Sequence, residues 1–111
     1  MPESTLSRRM NNKVVESREL ATLVQGATIR RLRLQNKTVK DLGVKQAAFV
    51  VLIGAQMPSV LAEISFVTNK SEAGLLKQPA YRQRIAQGLM EGLVKYQTSL
   101  KKVSVADARK N

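Results

Sequence analysis

The sequence of 111 residues contains no Cys, no His and no Trp. Without Cys, the chain has no disulfide framework, no thiolate nucleophile, no zinc finger and no iron–sulfur site. Without His, it cannot form a Ser-His-Asp triad, and it cannot supply the imidazoles that usually hold a catalytic zinc. Any chemistry must therefore use carboxylates, hydroxyls and amines, or groups that another polypeptide provides.

Long apolar runs are also lacking. The longest lies at residues 47–55, about half of the ~20 residues that a helix needs to cross a bilayer. The first residues, MPESTLSRR, have none of the apolar core of a secretory signal. We therefore predict no membrane span and no signal peptide in this chain.

Acidic residues are few. Nineteen Lys and Arg stand against eight Asp and Glu, which gives a net charge of +11. Such an excess favours nucleic acid, anionic lipid or acidic wall polymer as surroundings and does not choose among them. Five cations lie around the end of the first predicted helix, where they either oppose the negative end of the helix dipole or form a phosphate-binding stripe. These residues are Arg30, Arg31, Arg33, Lys37 and Lys40.

Helical periodicity opens at Ser17, a good N-cap, and should end before Asn36. One face of this helix follows the i, i+3, i+4, i+7 spacing. That face comprises Leu20, Leu23, Val24, Ala27, Arg31 and Leu34. Residues 1–15 are predicted to be a flexible lead-in, residues 16–100 a folded part of a domain, and residues 101–111 a polar tail. Asp41 to Gly43 is predicted to be a turn.

Two segments resemble strands. Residues 47–53 are continuously apolar, as in a strand covered on both faces. Residues 59–67 alternate, so that two sets of side chains point to opposite faces. One face carries Val60, Ala62, Ile64 and Phe66, and the other carries Ser59, Leu61, Glu63 and Ser65. The two strands could form a hairpin or be nonadjacent in a wider sheet.

Two further helices are predicted after the strands. Asn69 or Ser71 caps a short helix that has Glu72 in its first turn. Pro79 suits the first turn of a long last helix, where its missing N–H costs nothing. That helix has a long apolar face made of Tyr81, Ile85, Leu89, Leu93, Tyr96 and Leu100.

Small residues and one charge pair mark the last helix. Gly88 and Gly92 lie on or beside its apolar face and should let it approach a sheet closely. Glu91 and Lys95 form a favourable i, i+4 pair. Since two strands alone make a marginal sheet, we predict an α/β fold: a partial twisted sheet packed with about three helices, belonging to a larger domain.

Glu63 breaks the apolar pattern of the second predicted strand. A lone buried carboxylate would be costly, so Glu63 either faces solvent or pairs with a cation, or lies at a cleft where it serves as a general base. Ser59 and Ser65 share its predicted face. A side chain that points outward into bulk solvent, or one neutralised in an ion pair remote from any hollow, would contradict the catalytic interpretation.

The residues around Glu63 carry a family resemblance. The run from Met57 to Asn69 (MPSVLAEISFVTN), with Val51 and Leu52 before it, resembles the motif that closes the catalytic domain of zinc-dependent N-acetylmuramoyl-L-alanine amidases of type 3. The similarity extends over residues 17–25, 44–49, 72–76 and 81–96. It therefore covers roughly residues 17 to 97.

The resemblance implies a hydrolase that cuts the amide between the lactyl group of N-acetylmuramic acid and the L-alanine of the stem peptide. In that family zinc is held by two His and a Glu, and a further Glu, matched here by Glu63, acts as general base. It also implies peptidoglycan as substrate, a three-layer α/β domain and a periplasmic or extracytoplasmic location.

The family's metal ligands have no counterpart in a chain without His. Glu16 and Glu19 cannot be assigned as ligands from sequence. We therefore predict the C-terminal half of an amidase domain, missing the half that carries the ligands, binding no zinc by itself and inactive alone. The alternatives are a basic non-catalytic module for nucleic acid or anionic polymer, and an interaction protein that keeps the amidase surface without its chemistry. Nucleic acid is disfavoured because the four aromatic residues all lie on predicted core faces.

Overall fold

A computed structural model describes residues 5–46, 50–65 and 68–110, with side chains described for residues 12–46, 52–65 and 68–102. Helix α1 spans Thr5–Leu32, α2 Val50–Ile53, α3 Lys70–Leu76 and α4 Pro79–Lys110. Helix α1 thus begins twelve residues before the predicted Ser17, and it ends before Asn36 as predicted. Helix α4 likewise continues through most of the segment predicted to be a polar tail.

The two long helices form an antiparallel hairpin. Leu20 packs against Tyr96 in one buried apolar cluster that also holds Val24. Further along, Leu32 joins Tyr81 and Ile85 in a second buried cluster. Pairing early α1 residues with late α4 residues fixes the antiparallel direction, and the hairpin supplies the core of the described chain.

Two glycines of α4 bring the hairpin helices into close contact. A Cβ built on Gly88 would lie 2.6 Å from the Thr28 Cα, and one on Gly92 would lie 2.4 Å from the Val24 Cα. Real Cβ atoms cannot approach backbone so closely, so both positions require glycine at this helix separation. The predicted close approach is therefore correct, but its partner is helix α1 and not a sheet.

The predicted α/β fold is wrong for the described residues, which contain helices and no strand. Residues 50–53 of the first predicted strand form the single helical turn α2, and residues 54–65 have no regular secondary structure. The parts at residues 47–49 and 66–67 lie outside the described residues. A strand exists only by hydrogen bonding to a neighbour, and residues 57–65 make no backbone–backbone hydrogen bond to other described residues.

Local signals placed the remaining elements correctly. Asn69 caps α3, since its side-chain oxygen accepts a hydrogen bond from the Glu72 backbone N–H at 3.2 Å. Pro79 is the first residue of α4. The predicted turn is closed by Asp41, whose carboxylate accepts from the Gly43 N–H at 2.9 Å, and Gly43 has a φ of +82°.

Candidate functional site

Glu63 lies in a segment without regular secondary structure, here named the motif segment (residues 57–65), that runs along the helical hairpin from one buried cluster to the other. Its side chain is exposed. In the part of the chain that the structure describes, no ion pair involves its carboxylate. Of the predicted environments, the structure shows the solvent-facing one and not a buried strand.

Two apolar side chains anchor the motif segment on the hairpin. Val60 packs against the cluster of Leu20, Val24 and Tyr96. Ile64 packs against the other cluster, formed by Leu32, Tyr81 and Ile85. Because Val60 and Ile64 point inward, the segment is pinned on both sides of Glu63.

The burial of the motif segment follows the predicted alternation only in part. Leu61 and Glu63 are exposed and Val60 and Ile64 are partly buried, as predicted, but Ala62 is exposed and Ser59 and Ser65 are partly buried. The period of two is therefore wrong for three of the seven residues 59–65. The outward placement of Glu63, away from the groove between the end of α1 and α3, counts against a catalytic role within this chain alone.

A polar contact to α1, which sequence reasoning missed, also holds the motif segment. The Ser59 backbone N–H donates to the Ser17 Oγ at 3.0 Å, and the Ser59 hydroxyl donates to the Leu52 carbonyl at 3.4 Å. Lys13 Nζ donates to the same Leu52 carbonyl and, at 3.5 Å, to that of Ile53. Ser17, predicted to be an N-cap, instead lies inside α1. The 42-residue separation from Ser59 leaves no local sequence signal for this contact.

Backbone strain lies next to the candidate base. Ser65 has a φ of +60°, in the left-handed region that residues with a side chain rarely adopt. It is two residues after Glu63 and directly after the anchor Ile64.

Glu63 does not line the groove found elsewhere on the surface. That groove, of about 430 Å³, lies where the end of α1 meets α3. Polar side chains from both elements line it, including Gln35, Asn36, Lys70 and Gln78. The groove is open and holds no carboxylate, so within the described residues it offers no acid–base pair.

Three of the five cations predicted to cluster at the end of the first helix make hydrogen bonds within the chain. Arg31 Nε and Arg30 donate to the Glu91 carboxylate at 2.8 and 3.2 Å. Arg33 donates to the Val39 carbonyl. Lys37 is exposed, as is Lys40. Since three of the five cations are engaged within the chain, these contacts favour a role in helix packing over a phosphate-binding stripe.

The same carboxylate makes the predicted pair with Lys95. Glu91 Oε1 lies 3.5 Å from Lys95 Nζ, an i, i+4 pair on α4. The hydrogen bond from Arg31, followed by that from Arg30 and the nearby charges of Arg31 and Lys95, lowers the pKa of Glu91 from 4.5 to about 2. The sequence predicted one partner of Glu91, and the two interhelical partners emerged only from the fold.

Comparison with known proteins decides the family. The model of the N-acetylmuramoyl-L-alanine amidase family matches residues 4–95. The chain belongs to this family. The resemblance carried by residues 57–69 is thereby confirmed, and the match extends upstream to include all of α1.

Several curated proteins are similar to this amidase-family chain. It is 43% identical over 82 residues to the N-acetylmuramoyl-L-alanine amidase LytC of Bacillus subtilis, covering 68% of this chain and 16% of that protein. It is 39% identical over 80 residues to the uncharacterized protein YqiI of the same organism, covering 72% and 36%. The N-acetylmuramoyl-L-alanine amidase AmiA of Escherichia coli is 52% identical over 52 residues, covering 47% and 18%.

The chain therefore spans between 16% and 36% of the length of these relatives. No significant match to a solved structure was found. None of the helices among the described residues is long and apolar enough to cross a membrane.

Proposed function

We propose that this chain is the C-terminal part of a peptidoglycan amidase catalytic unit and that Glu63 is its general base. The bond cut is the amide between the lactyl group of N-acetylmuramic acid and L-alanine. Glu63 would accept the proton of the attacking water and then donate it to the departing amine, so that one carboxylate serves both steps. The family match over residues 4–95, which includes Glu63, supports this proposal.

The donor set of this chain does not fit the zinc that the family resemblance implies. The sequence contains neither His nor Cys, and the described residues contain no group of three potential ligands. No step is therefore assigned to a metal here. We propose that the ligands belong to a polypeptide segment outside this sequence, and that the chain by itself does not turn over substrate.

The proposed substrate determines where the protein works. Peptidoglycan lies outside the cytoplasmic membrane, so the catalytic unit would act in the periplasm or the cell wall. The net charge of +11 is compatible with a substrate that carries stem-peptide carboxylates and with acidic wall polymers. No described contact favours nucleic acid over such polymers.

A chimera tests the role of Glu63. The 82 residues of LytC that align with this chain are replaced by the aligned residues of this chain, and release of L-alanine-linked peptide from peptidoglycan is measured. The chimera should hydrolyse peptidoglycan. Glu63→Gln should reduce kcat by roughly 10²–10⁴-fold, the usual contribution of a general base, without loss of bound zinc.

Glu72→Gln is the matched control. It makes the same chemical change nine residues away, and Gln also suits the capping position in the first turn of α3. Its kcat should stay within about twofold of the unaltered chimera. Full activity of the Glu63→Gln chimera would reject Glu63 as the base, and an inactive unaltered chimera would reject the proposed function.

Zinc titration of the 111-residue chain tests the assignment of the ligands. Isothermal calorimetry should show no saturable binding beyond that of a buffer control. A stoichiometric site that a chelator removes would contradict the proposal that the ligands lie outside this sequence.

A further inference from the structure

We infer that Ser17, assisted by Lys13, is a positioning residue that fixes the register of the motif segment and so the outward direction of Glu63. The inference rests on the proposed function only in giving Glu63 a catalytic task. The positioning itself follows from contacts between α1 and the motif segment. Neither residue touches the Glu63 carboxylate, so each acts through the backbone that carries it.

Two apolar side chains, Val60 and Ile64, hold the register of the motif segment on the hairpin. In an extended chain a shift by one residue exchanges the two faces. A shift that brought Ser59 to the place of Val60 would bring Glu63 to the place of Ile64 and so turn the carboxylate towards the hairpin.

Ser17 opposes that shift because its hydroxyl oxygen accepts from the Ser59 amide. The Ser59 N–H reaches Ser17 Oγ at 3.0 Å, and both residues are partly buried. A register shifted by one residue towards the N-terminus would present Pro58, which has no N–H to donate. Slippage in that direction therefore loses the hydrogen bond altogether.

Lys13 secures the other end of the same arrangement. Its ammonium group donates to the carbonyls of Leu52 and Ile53 at the end of α2, and the Leu52 carbonyl also accepts from the Ala55 N–H at 3.3 Å. The Ser59 hydroxyl shares the Leu52 carbonyl. Lys13 and Ser17 lie one helical turn apart on α1, so one face of that helix fixes both ends of the loop that precedes the motif segment.

The lack of cysteine in this chain allows a direct measurement on the full 111 residues. Spin labels are attached at Glu63→Cys and at Gln97→Cys, an exposed position on α4, and the distance between them is measured by double electron–electron resonance. The otherwise unaltered chain should give one narrow distance. Ser17→Ala should at least double the width of the distribution or shift its centre by about 3 Å, the length of one extended residue.

Conservative and matched variants separate positioning from a general effect on α1. Ser17→Thr keeps the hydroxyl and should restore the narrow distance. Thr22→Ala removes a hydroxyl from the same helix that bonds only to the Arg18 carbonyl, and it should leave the distance unchanged. Circular dichroism at 222 nm should be the same for all variants.

Lys13→Met provides a second route to the same question, since it keeps the aliphatic stem and loses only the donor. It should also broaden the distribution. A narrow, unshifted distance in both Ser17→Ala and Lys13→Met would overturn the inference, as would equal broadening by Thr22→Ala. These distances need no enzymatic turnover. An inactive unaltered chimera would therefore reject the proposed function without affecting this result.

Discussion

At the scale of single residues, one carboxylate joins the two long helices. Glu91 on α4 accepts from Arg30 and Arg31 on α1 and also lies near Lys95. These cations stabilise the ionised form, so folding lowers the pKa of Glu91 from 4.5 to about 2. The carboxylate then contributes stability above about pH 4.5, and this contribution is lost as the pH falls towards 2.

Glu91→Gln should therefore lower the melting temperature at pH 6 and have progressively less effect as the pH decreases from 4.5 to 2. Near pH 2 the unaltered chain is itself about half protonated at Glu91, so most of the difference between the two melting temperatures should be gone at that pH. Thermal unfolding followed by circular dichroism at half-unit pH intervals measures the difference. Glu16→Gln, at an exposed carboxylate without an ion pair among the described residues, is the control. A pH-independent difference for Glu91→Gln would contradict the ion-pair explanation.

At the scale of secondary structure, the separation of the two long helices depends on glycine. A methyl group at Gly88 or Gly92 would meet backbone atoms of Thr28 and Val24 at 2.6 and 2.4 Å. Backbone in the middle of a helix cannot move aside as the end of a flexible side chain can. The helices must then separate, and the buried contacts along the whole hairpin weaken.

Gly88→Ala and Gly92→Ala should each destabilise the chain by about 1–3 kcal/mol, the usual cost of overpacking, despite the better helix propensity of Ala. Gly26→Ala is the matched control: Gly26 is in the interior of α1 with nothing within 4 Å of its added Cβ. That change should stabilise the chain by roughly 0.5–1 kcal/mol. Urea unfolding measures all three. Equal stabilisation by Gly88→Ala and Gly26→Ala would show that the helices are not in close contact.

The elements that sequence predicted well are those set by local chemistry. Asn69 and Pro79 mark the starts of α3 and α4 through a capping hydrogen bond and a fixed φ, both of which act within one helical turn. The strands failed because a strand depends on a partner elsewhere in the chain. For residues 57–65 the alternation gave the inward positions of Val60 and Ile64, which the helices cover, but not that of Ala62, which is exposed.

The same difference between local signals and distant contacts applies to the candidate site. Glu63 was predicted because a carboxylate interrupts an apolar run, which is visible in a few adjacent residues, and its role stays a prediction. Ser17 was assigned to a cap because Ser preceding a periodic segment is typical of one, whereas its partner Ser59 is 42 residues away. Neither the early start of α1 nor this contact has a signal within a short stretch of sequence.

At the scale of the whole molecule, exposed apolar surface favours association between copies, whereas the large net charge opposes it. Ile53, Met57 and Leu61 are 63%, 69% and 48% exposed, and they lie in or next to the motif segment. Surface of this kind favours association. A net charge of +11 keeps copies apart through repulsion that added salt screens, with a Debye length of about 10 Å at 0.1 M and about 3 Å at 1 M.

We therefore expect the chain to self-associate more strongly as salt increases, because the apolar attraction remains while the repulsion between copies is screened. Sedimentation velocity between 0.05 and roughly 1 M NaCl should show the weight-average sedimentation coefficient rising with salt. The double change Met57→Gln and Leu61→Gln should reduce this rise.

Leu34→Gln is the control. It alters a side chain that is 71% exposed but stands between Arg33 and Lys37, where positive charge disfavours contact between copies. It should have little effect on the rise of the sedimentation coefficient with salt. A chain that stays monomeric at every salt concentration would show that the apolar surface around the motif segment is too small or too divided to bind a second copy.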